Sequence, residues 1–188
     1  IDDDLLIVHH TDAPEGAYQP SEVPTLIQAI FNFQTSGDLA WPDIGFNFIV
    51  DEFGTIWEGR QGSIDAPIAC ETEGGDPGHT QHVAFLGQFS AAPPTPLATE
   101  AMVSLLAWLA NRDGVATQPG DLTNFISKGS DKFPAGEKVT VRTIAGHREI
   151  ADVGCPGDPV MNDVVADLQS LVNGERAVVV RRGPRAHD

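Results

Sequence analysis

The stretch Leu5-Leu6-Ile7-Val8-His9-His10-Thr11 decides how this chain is interpreted. Its first four residues form an unbroken apolar run, which is typical of a strand buried on both faces of a sheet. Two histidines follow at once, so the strand delivers polar side chains to an edge of the sheet. Because side chains alternate along a strand, His9 and His10 are predicted to point to opposite sides.

Apolar periodicity outlines the other elements. Helices are predicted over 21–37, over 95–114 with Thr95 as the cap, and over 158–174 with Leu168 and Leu171 on one face. Strands are predicted over 46–50 and 55–58 as a hairpin, over 83–86, and over 139–145. No element is predicted over 117–138, which is polar apart from a short apolar patch at Leu122, Phe125 and Ile126. Because strands and helices alternate, the predicted fold class is α/β, with a central mixed β-sheet flanked by helices.

Size and charge exclude several classes of protein. The chain has 188 residues and 41% hydrophobic residues, which fits one globular domain with a core. Its 27 acidic and 11 basic residues give a net charge of −16, so we expect no nucleic-acid partner. No apolar run approaches the roughly 20 residues that cross a bilayer, so no membrane insertion is expected.

The two ends of the chain differ from its body. Residues 176–188 hold four of the basic residues against one acidic residue, Asp188. We therefore predict a domain over 1–175, followed over 176–188 by a basic tail or linker that runs as a strand or arm. Because the chain begins at Ile1 and not at Met, we expect an upstream segment to have been removed.

Three residues that could bind a metal ion follow predicted strands: His9, His147 and Cys155. Neutral imidazole and thiolate are ligands that Zn²⁺ prefers, and three protein ligands plus water are typical of a catalytic zinc site. The loop between His147 and Cys155 is short enough to bring both side chains to one ion. In a secreted chain, however, two cysteines also suggest one disulfide, here Cys70–Cys155.

A set of motifs in a fixed order carries a family resemblance. The matching stretches are Ile7–Thr11, Trp41–Val50, Gly54–Arg60, Val83–Phe89, Ala107–Leu109, Gly146–Glu149 and Cys155–Asp158. In these stretches the chain resembles the zinc-dependent N-acetylmuramoyl-L-alanine amidases of the type shared by phage endolysins and peptidoglycan recognition proteins. The resemblance covers about residues 5 to 172, and the His-to-Cys interval of the last two stretches is its most specific part.

The resemblance implies a function and a set of metal ligands. It implies Zn²⁺ held by His9, His147 and Cys155, which leaves Cys70 single. The implied reaction is hydrolysis of the amide between N-acetylmuramic acid and L-alanine of the stem peptide. The implied partner is peptidoglycan, which lies outside the cytoplasmic membrane, so we expect a secreted or cell-surface protein. We also expect a monomer.

The chain departs from the family where protons are handled. The family's usual tyrosine falls at Phe46, which has no hydroxyl, and its lysine or threonine two residues before the cysteine falls at Val153. A histidine of the substrate groove aligns with Cys70. A glutamate that related amidases carry on the strand before Gly87 is replaced by Ala84.

Other residues are candidates for catalysis and substrate binding. His79 and His82, with Glu71 behind them, are assigned to the glycine-rich loop near residues 71–80 as substitute catalytic groups. Trp41, Phe46, Arg60 and Cys70 are the candidate substrate-binding residues. Trp41 could equally lie in the core, and Arg60 could pair with an acidic residue instead of a peptide carboxylate.

Three functional hypotheses follow from these residues. The first is the amidase. The second is a zinc-containing binding domain that recognises peptidoglycan with little or no turnover, which Phe46 and Val153 favour. The third is a zinc hydrolase acting on a different amide, for which Cys70 and the long loop leave room.

Overall fold

The structure is a computed structural model that describes residues 4–70 and 80–182. The strands are β1 (Leu5–His10), β2 (Phe48–Val50), β3 (Ile56–Glu58), β4 (Thr80–Phe85), β5 (Leu122–Ile126), β6 (Lys138–Arg142) and β7 (Ile144–Gly146). The helices are α1 (Val23–Gln34), α2 (Pro96–Asp113), α3 (Asp158–Val160) and α4 (Leu168–Arg182). Two 3₁₀ turns, Pro20–Glu22 and His147–Glu149, and a π-helical turn, Met161–Val165, complete these elements.

The main sheet has five strands in the order β3-β2-β4-β1-β7. Strands β2, β4, β1 and β7 are parallel to their neighbours in this row, and β3 pairs antiparallel with β2 as the predicted hairpin. The α/β fold class with a central mixed sheet is therefore confirmed. All six residues of β1 are buried, as its apolar run predicts for an interior strand.

One face of the sheet is covered by α2 and the C-terminal helices. Leu6 and Val8 of β1 point to this side and pack in one cluster with Leu106 of α2 and Leu168 of α4. The α2 helix begins as predicted, because Thr95 Oγ1 accepts the N–H of Ala98 at 3.1 Å. This face is a continuous apolar core.

The other face is covered by two separate groups. Helix α1 packs over Ile49 of β2, and the small sheet of β5 and β6 packs over Leu5 and Ile7 of β1. His9 points to the same face as Leu5 and Ile7 because side chains alternate. The covering elements therefore leave a cavity at the carboxyl ends of β1 and β7.

Two predictions about strands are corrected by the structure. The apolar patch near residue 122 forms β5, which pairs with β6 in a separate two-stranded sheet. The stretch 139–145 was predicted as one strand, but it is divided between β6 and β7, which belong to different sheets. The division falls at Thr143, whose backbone N–H donates to Asp121 and whose carbonyl accepts from Leu6.

The last helix also differs from its prediction. The π-helical turn inserts an extra residue, so the buried face afterwards includes Leu168 and Val172, while Leu171 is 46% exposed. Helix α4 continues to Arg182, so a strand or arm starting at residue 176 is wrong for 176–182. Residues 183–188 lie outside the described part, and the domain boundary at 175 stays a prediction. Among the described residues, no helix is long and apolar enough to cross a membrane.

Candidate metal centre

His9 lies near the carboxyl end of β1 with only 2% of its surface exposed. Its neighbour in the β4 register is Ala84, so no carboxylate stands beside it there. Burial lowers the pKa of His9 well below 6.5, and the nearby rings of His147, His82 and His10 lower this pKa further. The imidazole is therefore neutral at neutral pH, which is the form that binds metals.

His147 begins the 3₁₀ turn that follows β7. Gly146 precedes it at a close contact, since a Cβ there would lie 2.2 Å from Met161 Sδ. The Glu149 carboxylate accepts the N–H of Gly146 at 2.7 Å and pairs with both Nε and Nη2 of Arg142. These contacts fix the turn that carries His147 against the C-terminal helices and the small sheet.

Cys155 is held close to His147 by the loop that joins them. The carbonyl of His147 accepts the N–H of Ala151, and the N–H of Arg148 donates to the carbonyl of Cys155 at 3.1 Å. The Arg148 guanidinium also donates to Asp158 and to the carbonyl of Gly154. The short interval therefore folds back on itself, as its length predicts.

These three side chains converge on one point. One ligand atom of each of His9, His147 and Cys155 lies within 4.8 Å of the others. His9 Nδ1 is 3.7 Å from Cys155 Sγ, and the ring centroids of His9 and His147 are 4.4 Å apart. Two imidazoles and a thiolate at this spacing match the donor set that zinc prefers. Both cysteines of the chain are described, and neither forms a disulfide, so the Cys70–Cys155 alternative is wrong in this structure.

The cluster opens into a cavity of about 340 Å³. Phe46 and Val153 line it, so both apolar departures from the family pattern lie beside the cluster. The Phe46 ring centroid is 5.3 Å from that of His9, and Val153 is 39% exposed. Asp12 and Ser90 also line this cavity, although neither stands out in the sequence as a site residue.

A second cavity of about 520 Å³ continues from the first one. It runs between α1 and the segment Thr11–Pro14, and it shares Asp12 and Phe46 with the first cavity, which we call the metal cavity. Its wall on α1 is mostly apolar and includes Phe33, which is 71% exposed. A long substrate could therefore lie across both cavities.

The histidines next to the cluster occupy different places. His10 lies outside the three-residue cluster, and its Nδ1 accepts the N–H of Phe89 at 3.3 Å. The prediction that His82 lies in a loop is wrong, because it lies in strand β4. There it is 2% exposed, and its ring contacts the ring of His9. The other two catalytic candidates, Glu71 and His79, lie outside the described residues.

Three predicted substrate-binding residues line neither cavity. Trp41 packs its ring against Gly45, where a Cβ would lie 2.6 Å from the ring. Arg60 is buried and donates to the carbonyls of Ile44 at 3.0 Å and Ala69 at 2.7 Å. Cys70 is buried, and its thiol donates to Asn47 Oδ1 at 3.0 Å. Their contacts with substrate stay predictions.

Asn47 is a polar residue that the sequence analysis missed. It is fully buried, and its amide contacts Ser63 and Ile68 besides Cys70. The available signal was an asparagine in the middle of the apolar stretch 46–50, where an unpaired amide would be costly.

The fold and the cluster together define an α/β domain that carries two histidines at the carboxyl ends of parallel strands and a cysteine in the loop that follows His147. The chain belongs to the N-acetylmuramoyl-L-alanine amidase family, whose sequence model matches residues 2–159. This membership confirms the family resemblance that the motifs predicted.

Known proteins similar to this chain include both recognition proteins and amidases. Peptidoglycan-recognition protein SC1a of Drosophila melanogaster is 25% identical over 160 residues, which are 84% of this chain and 70% of the relative. The solved amidase LysC from Clostridium intestinale URNW has a TM-score of 0.60 at 17% identity, covering 89% of this chain and 85% of its own. Peptidoglycan recognition protein LE, solved with tracheal cytotoxin, has a TM-score of 0.64 at 19% identity, covering 90% and 80%. At these identities the two solved structures show a common fold.

Proposed function

We propose that this protein is a zinc-dependent peptidoglycan hydrolase that cleaves the amide between N-acetylmuramic acid and L-alanine of the stem peptide. The observation that carries the proposal is the convergence of His9, His147 and Cys155 within 4.8 Å at an open cavity. Family membership supports the reaction, and the relatives with peptidoglycan in their names support the substrate class.

The three residues would hold the ion with different contributions. His9 would bind through Nδ1, the nitrogen that faces Cys155, and its lowered pKa keeps the ring neutral. The backbone N–H of His10 donates to Cys155 Sγ at 3.4 Å, which stabilises a thiolate there. Three protein ligands leave one position for water or a substrate oxygen.

Bound zinc supplies a Lewis acid for the scissile carbonyl and a water whose pKa is near 7. The chain's own residues would orient the substrate and exclude bulk water around it. Phe46 and Val153 offer apolar walls at the metal cavity, and the second cavity along α1 offers space for the rest of a muropeptide. Asp12, an acidic residue on the wall of the metal cavity, has 76% of its side chain exposed, so its carboxylate is open to solvent.

A recognition domain with little or no turnover is the second candidate. The observation that favours it is the apolar character of Phe46 and Val153, since neither side chain donates a hydrogen bond or transfers a proton. General acid–base assistance contributes typically about 10²–10⁴-fold, so the loss of such groups leaves a slow enzyme or a binder.

The proposal extends to the setting of the protein. Because peptidoglycan lies outside the cytoplasmic membrane, we propose a secreted or surface protein that acts as a monomer. We also propose that residues 1–175 form the functional domain.

The test combines zinc content and turnover on one purified sample. We expect stoichiometric zinc and release of free stem peptide from peptidoglycan, and we expect both to be lost in His147→Ala. Circular dichroism would show that the variant is folded. Stoichiometric zinc with peptidoglycan binding but no release would replace the amidase by the recognition domain. A folded wild-type protein that takes up no zinc would refute both zinc-containing alternatives.

A further inference from the structure

Strand β4 buries an unusual run of polar residues, Thr80, Gln81 and His82, which are 3%, 0% and 2% exposed. Burying polar groups costs free energy unless they are hydrogen-bonded, so such a run needs an explanation. His82 does not line the metal cavity and therefore does not contact a substrate there. Its place is behind the cluster, on the side of His9 away from Cys155.

The two ring nitrogens of His9 face different partners. Nδ1 is 3.7 Å from Cys155 Sγ, and Nε2 is 2.8 Å from His82 Nδ1. A neutral imidazole carries its proton on one nitrogen and a lone pair on the other. His9 can therefore offer Nδ1 to a metal ion only when its proton is on Nε2.

His82 is itself held in place by neighbouring strands. Its backbone N–H donates to Asn47 Oδ1 at 2.7 Å, and its carbonyl accepts the backbone N–H of Asn47 at 2.7 Å. Its Nε2 lies 2.9 Å from Thr80 Oγ1. Two directions of donation fit these distances, and a metal ion on His9 Nδ1 is compatible with only one of them: His9 Nε2–H donates to His82 Nδ1, and His82 Nε2–H donates to Thr80 Oγ1.

We propose that His82 is a positioning residue for the metal centre, which accepts the Nε2–H of His9 and so keeps the Nδ1 lone pair of His9 directed at the cluster. The role of this hydrogen bond in metal binding rests on the proposed function. Groups that orient a metal-binding histidine through its second nitrogen contribute to affinity without touching the ion. His82 fills that role with an imidazole in place of a carboxylate or a carbonyl.

The first measurement is zinc affinity by competition with a chelator, using the full chain. We expect His82→Leu, which removes the acceptor, to weaken zinc binding by about 10–100-fold. We expect His82→Asn, whose amide oxygen can stand near the lost Nδ1, to recover most of that affinity. The matched control is Val83→Ala on the same strand, which packs into the opposite face and should leave zinc affinity unchanged.

The second measurement is the tautomer of His9 in the metal-free protein, read from long-range ¹⁵N–¹H correlations at about pH 8, where a histidine with an ordinary pKa is neutral. The His9 signals would be assigned by their loss in His9→Gln. We expect the Nε2–H form in the wild type and a mixture of tautomers in His82→Leu. A wild-type His9 protonated on Nδ1 would overturn the proposal without any variant at position 82.

The two measurements separate this proposal from the proposed function. A wild-type protein that binds no zinc would refute the zinc enzyme, while the tautomer measurement would still support or overturn the hydrogen bond from His9 to His82. A folded His82→Leu protein with wild-type zinc affinity and an unchanged His9 tautomer would overturn the positioning role.

Discussion

The floor beneath the metal cavity and the rim of that cavity differ in chemical character. The floor consists of His9, which lines the cavity, and of His82, Thr80 and Asn47 behind it, and these buried residues are joined by hydrogen bonds of 2.7–2.9 Å. The rim consists of Phe46 and Val153, whose side chains offer no hydrogen-bonding group. The proposed metal binding and the proposed reaction therefore depend on different residues and can be tested separately.

The largest expected effect concerns the cluster above the floor. Excess zinc should stabilise the wild-type protein against thermal unfolding by about 4 kcal/mol at 1,000 times Kd, because zinc binds the native state. Cys155→Ala should remove most of this zinc-dependent shift, measured by calorimetry with zinc or chelator. An equal shift in the variant would place the zinc site elsewhere.

A second prediction asks whether the opposite face of the sheet is independent of the floor. Leu106→Ala should lower the free energy of unfolding by about 2–5 kcal/mol, because Leu106 is fully buried against β1 and α4. Denaturant unfolding measures this loss. The zinc affinity of the folded variant should equal that of the wild type. A weakened affinity would mean that the face of the sheet covered by α2 also supports the cluster.

A third prediction tests the rim. Phe46→Tyr should raise turnover on peptidoglycan fragments by about 10²-fold, because it adds a hydroxyl beside the cluster. Zinc content should not change, and Phe46→Leu serves as the control without a hydroxyl. If zinc-loaded Phe46→Tyr protein shows no gain in turnover, the missing hydroxyl at position 46 is not what limits the amidase reaction.

The smallest expected effect concerns Tyr18, the single tyrosine of the chain. Its hydroxyl donates to the carbonyl of Leu86 at 3.1 Å and accepts the N–H of Glu52 at 2.9 Å, so it does not replace the hydroxyl missing at the rim. Tyr18→Phe should cost about 1 kcal/mol of stability and leave turnover unchanged. A large loss of turnover would show that the rim does depend on Tyr18.

The pH dependence of stability offers a further check on Tyr18. Burial raises the pKa of Tyr18 to about 12 from an ordinary value of 10.0. The folded state therefore favours the neutral phenol, and this contribution is complete below pH 10 and lost as the pH rises from 10 to 12. Across this range the free energy of unfolding, measured at a series of pH values, should fall less with rising pH for Tyr18→Phe than for the wild type.

The parts of the fold that the sequence predicted are those with a local signal. The apolar run of β1, the hairpin of β2 and β3, and the Thr95 cap of α2 each depend on a few adjacent residues. The pairing of β5 with β6 has no clear signal in the sequence. Leu122 and Ile126 are apolar although they are exposed, so apolar residues do not mark the buried side of β5, where Phe125 lies.

The candidate site was predictable in its first layer and not in the layer behind it. His9, His147 and Cys155 stand out by residue type and by the strands that precede them. The hydrogen bond between His9 and His82 depends on the register in which Ile7 pairs with His82, and nothing in the sequence of either strand fixes that register. His82 itself precedes the apolar run that predicts a strand over 83–86, so the sequence places it in the loop and among the catalytic candidates, whereas β4 begins at Thr80.

The loop from His147 to Cys155 also bears on the order in which the protein could acquire a metal ion. Two of the three donor groups belong to one short segment closed by its own backbone hydrogen bonds, whereas His9 comes from the other end of the chain. Of the three proposed ligands, an unfolded chain would offer an ion only this local pair, and the third would join them when β1 pairs with β7. In the proposed zinc protein, His9 would thus be the donor that couples metal capture to the completed sheet.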